Sequence, residues 1–240
     1  MNLCKVMKRR QQQGPLINSL PQELIVDIIA SVAASSLSDL CNVKLTCKEF
    51  HEAATDNHVF QQASIEALPT IEWRTSSQAS LFLKQCEASG NPDAVYKRGM
   101  IEYFSRAHIQ LGINFLKRAA NSGHMQSTYV LGIILYSNKS SQEEGMEFLK
   151  KVKSTNDGGI DKCLMRSMKV LREMWINNTI PMPESTCVDP TCRNGRMRVV
   201  PVIPVREYSW GNQFKEPSFC SQTCNWHHEL NKFCTFLRGV

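Results

Sequence analysis

Apolar positions between residues 17 and 60 recur at three- and four-residue intervals, the period of a helix that keeps one side dry. Leu24, Ile25, Ile28, Ile29 and Val32 form one such stripe, and Leu37, Leu40, Val43, Cys47 and Phe50 form a second. Pro21, whose fixed φ suits a first turn, opens the first helix. Ser19 with Gln22, or Glu23 in the first turn, adds capping and dipole support. Ser36 or the pair Ser38-Asp39 starts the second helix, and Asp56 or Asn57 starts a further turn at Val59 and Phe60. Three or four helices in about forty residues bury too little area to be secure alone, so this module should lean on a neighbour or a partner.

A longer regularity follows. Phe82-Leu83-Lys84, Phe115-Leu116-Lys117 and Phe148-Leu149-Lys150 recur at a spacing of 33. Tyr96, Gly99, Ile101, Tyr103 and Gly112 return as Tyr129, Gly132, Ile134, Tyr136 and Gly145 in the same register. A period in the thirties built from two helical patterns marks a solenoid of helical hairpins. The first helices are expected over 94–104 and 127–137, with Gly99 and Gly132 admitting the partner helix, and Gly123 is placed to end a second helix. Caps are expected at 80–90 and 160–175, the latter with Ile160, Cys163, Leu164, Ser167, Met168, Leu171 and Trp175 on one face. Residues 61–75 read as a helical connector broken at Pro69. The repeat aromatics are expected in the core, and the stack offers a concave surface for a peptide or protein.

From residue 180 the texture changes to prolines, short β-friendly runs and clustered cysteines. Cys187-x4-Cys192 is followed, after 27 intervening residues, by Cys220-x3-Cys224. Pro201 and Pro204 confine the run between them to an edge strand or a break. Two close cysteine pairs can fold back to give one Zn²⁺ four thiolates in a tetrahedron; the alternative is four reduced thiols in a small apolar core.

Composition narrows the class. Across 240 residues, 42% hydrophobic and 21% charged positions fit a globular chain. The net charge of +6 owes much to Lys5, Lys8, Arg9 and Arg10, so no domain surface is strongly basic by count. No apolar run approaches the roughly 20 residues of a membrane span, and no signal peptide is evident. The chain is expected to be intracellular, nuclear or cytoplasmic, with its ten cysteines reduced. No catalytic triad, phosphate-cradling glycine loop or metalloprotease helix is present, so the chain reads as a non-enzyme.

Three segments resemble known families. Leu20-Pro21-x-Glu23-Leu24, Ile28-Ile29, Ser36-Leu37-x-x-Leu40, Val43-Lys44-x-x-Cys47-Lys48-x-Phe50 and Asn57-x-x-Phe60 are similar to an F-box. That resemblance implies docking onto the SKP-one adaptor, and through it a cullin, with Leu20, Pro21, Leu24, Ile28, Leu40, Val43 and Cys47 as the contact. Ala-x-Tyr-x-x-Gly followed by Phe-Leu-Lys-x-Ala-Ala-x-x-Gly-His resembles Sel-one-like repeats, relatives of tetratricopeptide repeats; its second copy is degenerate. Phe219-Cys220-Ser221-x-x-Cys224-Asn225-Trp226, with His227, His228 and Cys234, resembles the second half of a MYND finger. This chain has the four cysteines of that family's first site but none between Cys192 and Cys220, which implies one zinc at most. His227 or His228 is able to replace one of the four cysteines.

The expected fold is mainly α: a basic tail at 1–16, an F-box at 17–65, a helical solenoid at 76–176, and a small cysteine-rich α+β segment at 181–240. The function expected is substrate recognition for an SCF-type ubiquitin ligase, as in plant F-box proteins of this architecture. Its rivals are a zinc-dependent nucleic-acid or chromatin binder using the arginines at 193, 196, 198 and 206, and a helical scaffold outside any ligase.

Overall fold

A computed structural model describes residues 20–70, 76–155, 159–181 and 219–239. Among the described residues it holds eleven α-helices and no strand. The chain forms two compact units, residues 1–64 and 65–240.

The first unit is built from α1 (Gln22–Ser35), α2 (Leu37–Lys44), α3 (Lys48–Ala53) and α4 (Asn57–Gln62). Pro21 sits one place before the first helical turn, and its carbonyl accepts from Leu24 N and Ile25 N. Ser36 caps α2 by accepting from Asp39 N at 3.2 Å, and Asp56 caps α4 by accepting from His58 N at 2.8 Å. Each satisfies a backbone donor that the helix itself leaves free. The interior is made by Ile29, Ala30, Ala33, Leu40, Ala53, Ala54, Val59, Phe60 and Ala63. Five of these nine are alanines, so the helices approach closely around a small apolar volume.

The second unit is the helical-repeat body. Helix α4 stops at Gln62 and Ala63 turns extended, so the helical connector expected over 61–75 is overturned where the structure describes it. Lys97 holds that stretch instead, its Nζ donating to the carbonyls of Ile65 at 2.9 Å and Leu68 at 2.7 Å. Glu173 accepts from Thr70 N at 2.9 Å.

The array then runs α5 (Ser77–Ala88), α6 (Pro92–Met100), α7 (Ile109–Asn121), α8 (Met125–Ser137), α9 (Gln142–Lys153) and α10 (Gly159–Arg172). The 33-residue period returns as matching contacts. A Cβ on Gly99 would lie 2.9 Å from Leu116 Cγ, and one on Gly132 would lie 2.9 Å from Leu149 Cγ. Gly112 and Gly145 likewise meet the backbones of Tyr103 and Tyr136. Both hairpins therefore close through a pair of glycines that no side chain can replace without a shift. Gly123 takes φ +86° just beyond α7, a conformation that favours glycine.

The hairpins differ at the end of their first helix. After α6 the chain makes a π-helical turn, Ile101–Ser105, which buries Glu102. Arg98, Arg106 and His108 surround that carboxylate at 2.8, 3.0 and 2.7 Å. Asn177 and Asn178 donate to carbonyls of the same turn, at Ser105, Phe104 and Tyr103. A buried charge is tolerated only when met on every side in this way.

Helix α8 is buried at every residue from 127 to 136. Helices α7 and α9 cover part of it, and α10 and α11 (Gln222–Gly239) cover the rest. Trp226, Leu230, Phe233, Phe236 and Leu237 of α11 belong to the same core as Tyr129, Ile133 and Leu149. Tyr96 donates to Ser167 Oγ of α10 at 3.1 Å, and its repeat mate Tyr129 donates to Glu229 of α11 at 2.8 Å. The cysteine-rich end, expected as a separate segment, thus contributes its last helix to the repeat core. The reason is its own apolar spacing, which sends Trp226, Leu230, Phe233 and Leu237 to one side. Trp175, expected in the core of the α10 cap, lies outside it, because α10 ends at Arg172 before the side chain can turn inward.

Candidate functional site

Helix α1 is apolar on two sides. Ile29, Ala30 and Ala33 face the unit's interior, whereas Leu24 and Ile28, one turn apart on the other side, are 48% and 46% exposed. Leu45, directly after α2, is 85% exposed. Pro21 and Cys47 are also exposed, and Leu20 and Val43 are half-buried. Thr46 fixes the bend after α2 by donating to Val43 O at 2.8 Å, and Lys44 lies 5.6 Å from the centre of the Phe60 ring. Beyond the bend, Cys47 occupies the N-cap of α3. The Glu49 carboxyl in the first turn is held below the usual range, chiefly by a backbone hydrogen bond and then by Cys47.

Leu40 is a correction. Expected among the outward anchors, it is 1% exposed and fills the unit's own interior. Leu45 was missed, because it falls between the motif positions Val43 and Cys47 and its exposure depends on where α2 stops. The surface available to a partner is therefore Pro21, Leu24, Ile28, Leu45 and Cys47, with parts of Leu20 and Val43. Burying a side chain the size of Leu or Ile stabilises by roughly 1.5–3 kcal/mol when it goes from fully exposed to fully covered. Leu24 and Ile28, already half covered, would each gain a share of that.

At the other end of the chain, Cys220 is exposed and Cys224 is buried, one turn apart at the start of α11. Ser221 caps that helix by accepting from Cys224 N at 3.1 Å. Cys187 and Cys192, the other two expected ligands, lie outside the described residues, as do the arginines at 193–206 and the predicted strands. No three His, Cys, Asp or Glu side chains among the described residues are grouped closely enough to hold a metal ion. Cys234 is a core thiol: it lies 3.8 Å from the Ile180 carbonyl, and burial pushes its pKa up to about 11. His227 packs on the Tyr136 ring and His228 on the Phe219 ring, and burial lowers the pKa of both. His227 Nδ1 is buried without a hydrogen-bond partner, as are Trp226 Nε1 and Asn231 Oδ1 on the same helix. Thiols such as those of Cys220 and Cys224, and an imidazole such as that of His227, are ligand types that suit zinc.

No described helix is long and apolar enough to cross a membrane. Among known families, residues 17–66 match the F-box-like model and residues 66–172 match the plant tetratrico peptide repeat model. Three Arabidopsis thaliana sequences named as F-box proteins are similar to the chain. At1g67623 is 31% identical over 41% of this chain and 33% of its own length. At2g35280 is 33% identical over 41% and 60%, and At1g67340 is 31% identical over 37% and 24%. The chain thus spans from about a quarter to three-fifths of the length of these relatives. No solved structure matches it. The boundary between the two family matches falls where the two compact units divide, and the chain therefore carries an F-box-like domain followed by plant tetratricopeptide-type repeats, with plant F-box proteins as its relatives.

Proposed function

We propose that the chain is a non-enzymatic substrate-recognition subunit of an SCF-type ubiquitin ligase. The first unit holds a SKP-one-type adaptor, and through it a cullin, while the repeat body, of the Sel-one-like kind by its motif, holds a target protein. The observation that carries this reading is the placement of Leu24, Ile28 and Leu45 in solvent on a unit whose core is already filled by other residues. A small helical unit gains little by displaying three large apolar side chains unless something covers them. Co-expression with a SKP-one-type adaptor tests it: a stable complex should form with the native chain. The double variant Leu24→Asp, Ile28→Asp should lose it by several kcal/mol, since two carboxylates would be buried unpaired. A chain that purifies alone and ignores the adaptor would refute the reading.

We also propose one zinc ion held by Cys187, Cys192, Cys220 and Cys224, with His227 or His228 as a substitute for one thiolate. The start of α11 favours thiolates electrostatically, and Cys220 and Cys224 lie there one turn apart. The metal would supply structural cross-linking and no reaction chemistry. Metal analysis of the purified chain should find one zinc per molecule, lost in Cys220→Ser, Cys224→Ser.

A further inference from the structure

Helix α10 is covered on one side alone. Cys163, Leu164, Ser167, Met168 and Leu171 are buried, whereas Lys162, Met165, Arg166, Lys169 and Arg172 are exposed. These five recur at intervals of one or three residues that keep them on one side of the helix, so they line a continuous outer stripe. Met165 is 49% exposed, and Trp175, just past the last turn, is 75% exposed. Trp175 is the largest side chain among the apolar residues left in solvent in the described structure. The helix carries four cations and one carboxylate, Asp161, which lies 3.2 Å from Lys232. Lys169 approaches Glu66 at 3.5 Å with both side chains mostly exposed, and Arg172 lies 5.0 Å from the centre of the Phe236 ring. Exposed pairs of this kind are weak and exchange for a better partner. The four cations fall within eleven residues, and the helix gathers them on one side.

We propose that this stripe docks an acidic segment of a partner protein that also carries large apolar side chains. The segment's carboxylates meet Lys162, Arg166, Lys169 and Arg172, and its apolar groups pack on Met165 and Trp175. Charge complementarity selects the partner's sign, and the tryptophan supplies the kind of anchor that dominates protein interfaces. Glu66 and Asp161 stand beside the stripe. An unbroken row of phosphates would have to pass these two carboxylates, whereas a peptide can leave gaps in its charge there. The proposal rests on the reading of the repeat body as the target-binding part and names the chemistry of what it takes.

The test uses the full chain and fluorescence anisotropy with three labelled helical peptides. One is rich in Asp and Glu with Leu and Phe at helical spacing, a second has Lys in place of each acid, and a third has Ser in place of each apolar residue. The first should bind, the second should not, and the third should bind at least about ten-fold more weakly. Arg166→Glu with Lys169→Glu should abolish binding of the first, and Trp175→Ala should weaken it about ten-fold. Both variants should keep the native melting temperature and the native level of adaptor co-purification, so failure here is told apart from failure of the ligase reading. Failure of the acidic apolar peptide to bind, equal binding of acidic and basic peptides, or binding unchanged in these variants would overturn the proposal. So would tighter binding of a single-stranded oligonucleotide, which would assign the stripe to nucleic acid.

Discussion

The two units fill their interiors in different ways. The first closes its interior largely with alanines and leaves Leu24, Ile28 and Leu45 in water. The second draws Trp226, Phe233, Tyr129 and Tyr136 into a single core and encloses a whole helix, α8, on every side. The first unit thus has large apolar side chains both inside, at Leu40 and Phe60, and outside, at Leu24 and Leu45. The second encloses its inner helix and exposes large apolar side chains on or beside its outer ones, as at Leu81, Met165 and Trp175.

The contrast can be broken by substitution. Phe233→Ala should have the largest effect, about 3–5 kcal/mol lost in urea unfolding of the second unit, because the ring is wholly buried between Phe104 and Tyr129. Leu40→Ala should cost the first unit about 2–5 kcal/mol. Gly112→Ala should cost about 1–3 kcal/mol, since its Cβ would sit 2.6 Å from Tyr103 Cβ and force the hairpin apart. Leu24→Ser, by contrast with Leu40→Ala, should change stability by no more than about 0.5 kcal/mol and yet weaken adaptor capture. If Leu24→Ser unfolds the unit, the division into inner and outer apolar residues is wrong.

A smaller effect concerns pH. Burial raises the pKa of Glu229, with Lys232 and the Tyr129 hydroxyl pulling it back in part. The folded state therefore binds this proton more tightly than the unfolded one. Stability should fall as pH climbs from the ordinary carboxyl value of 4.5 through the raised folded value, and level off above it. Glu229→Gln keeps an oxygen for Tyr129 to donate to and should flatten that slope. Thermal melts of both chains across the acidic to neutral range check it.

Much of this was legible in the residues. The 33-residue period carried the hairpins down to the glycine contacts, because a missing side chain at Gly99 and at Gly132 has the same cause. The caps were readable to within a choice, Ser36 or Ser38-Asp39 and Asp56 or Asn57, because each meets a local need of the backbone, and the structure uses Ser36 and Asp56, with Gly123 after α7. The division of the α1 stripe was harder. Leu24 and Ile28 share the hydrophobicity of Ile29, and no property of a single helix says which of them another helix will cover. Leu40 was misplaced for the same reason. The destination of α11 was hidden by its cysteines, which drew Trp226 and its neighbours into the reading of a separate finger, although their spacing already described a helix with one apolar side. Trp175 depended on the last turn of α10, and helix ends are the part of a helix that sequence determines least.

The enclosure of α8 also bears on how the molecule is made. Synthesis runs from the N-terminus, so the hairpins emerge from the ribosome long before residues 226–237 do. Throughout that interval Tyr129, Ile133 and Tyr136 have no α11 to cover them, and the nascent chain presents a sticky wall to its neighbours. The newborn protein should accordingly depend on chaperones until α11 arrives, and a nonsense codon upstream of Gln222 should produce an aggregating product instead of a shortened working one.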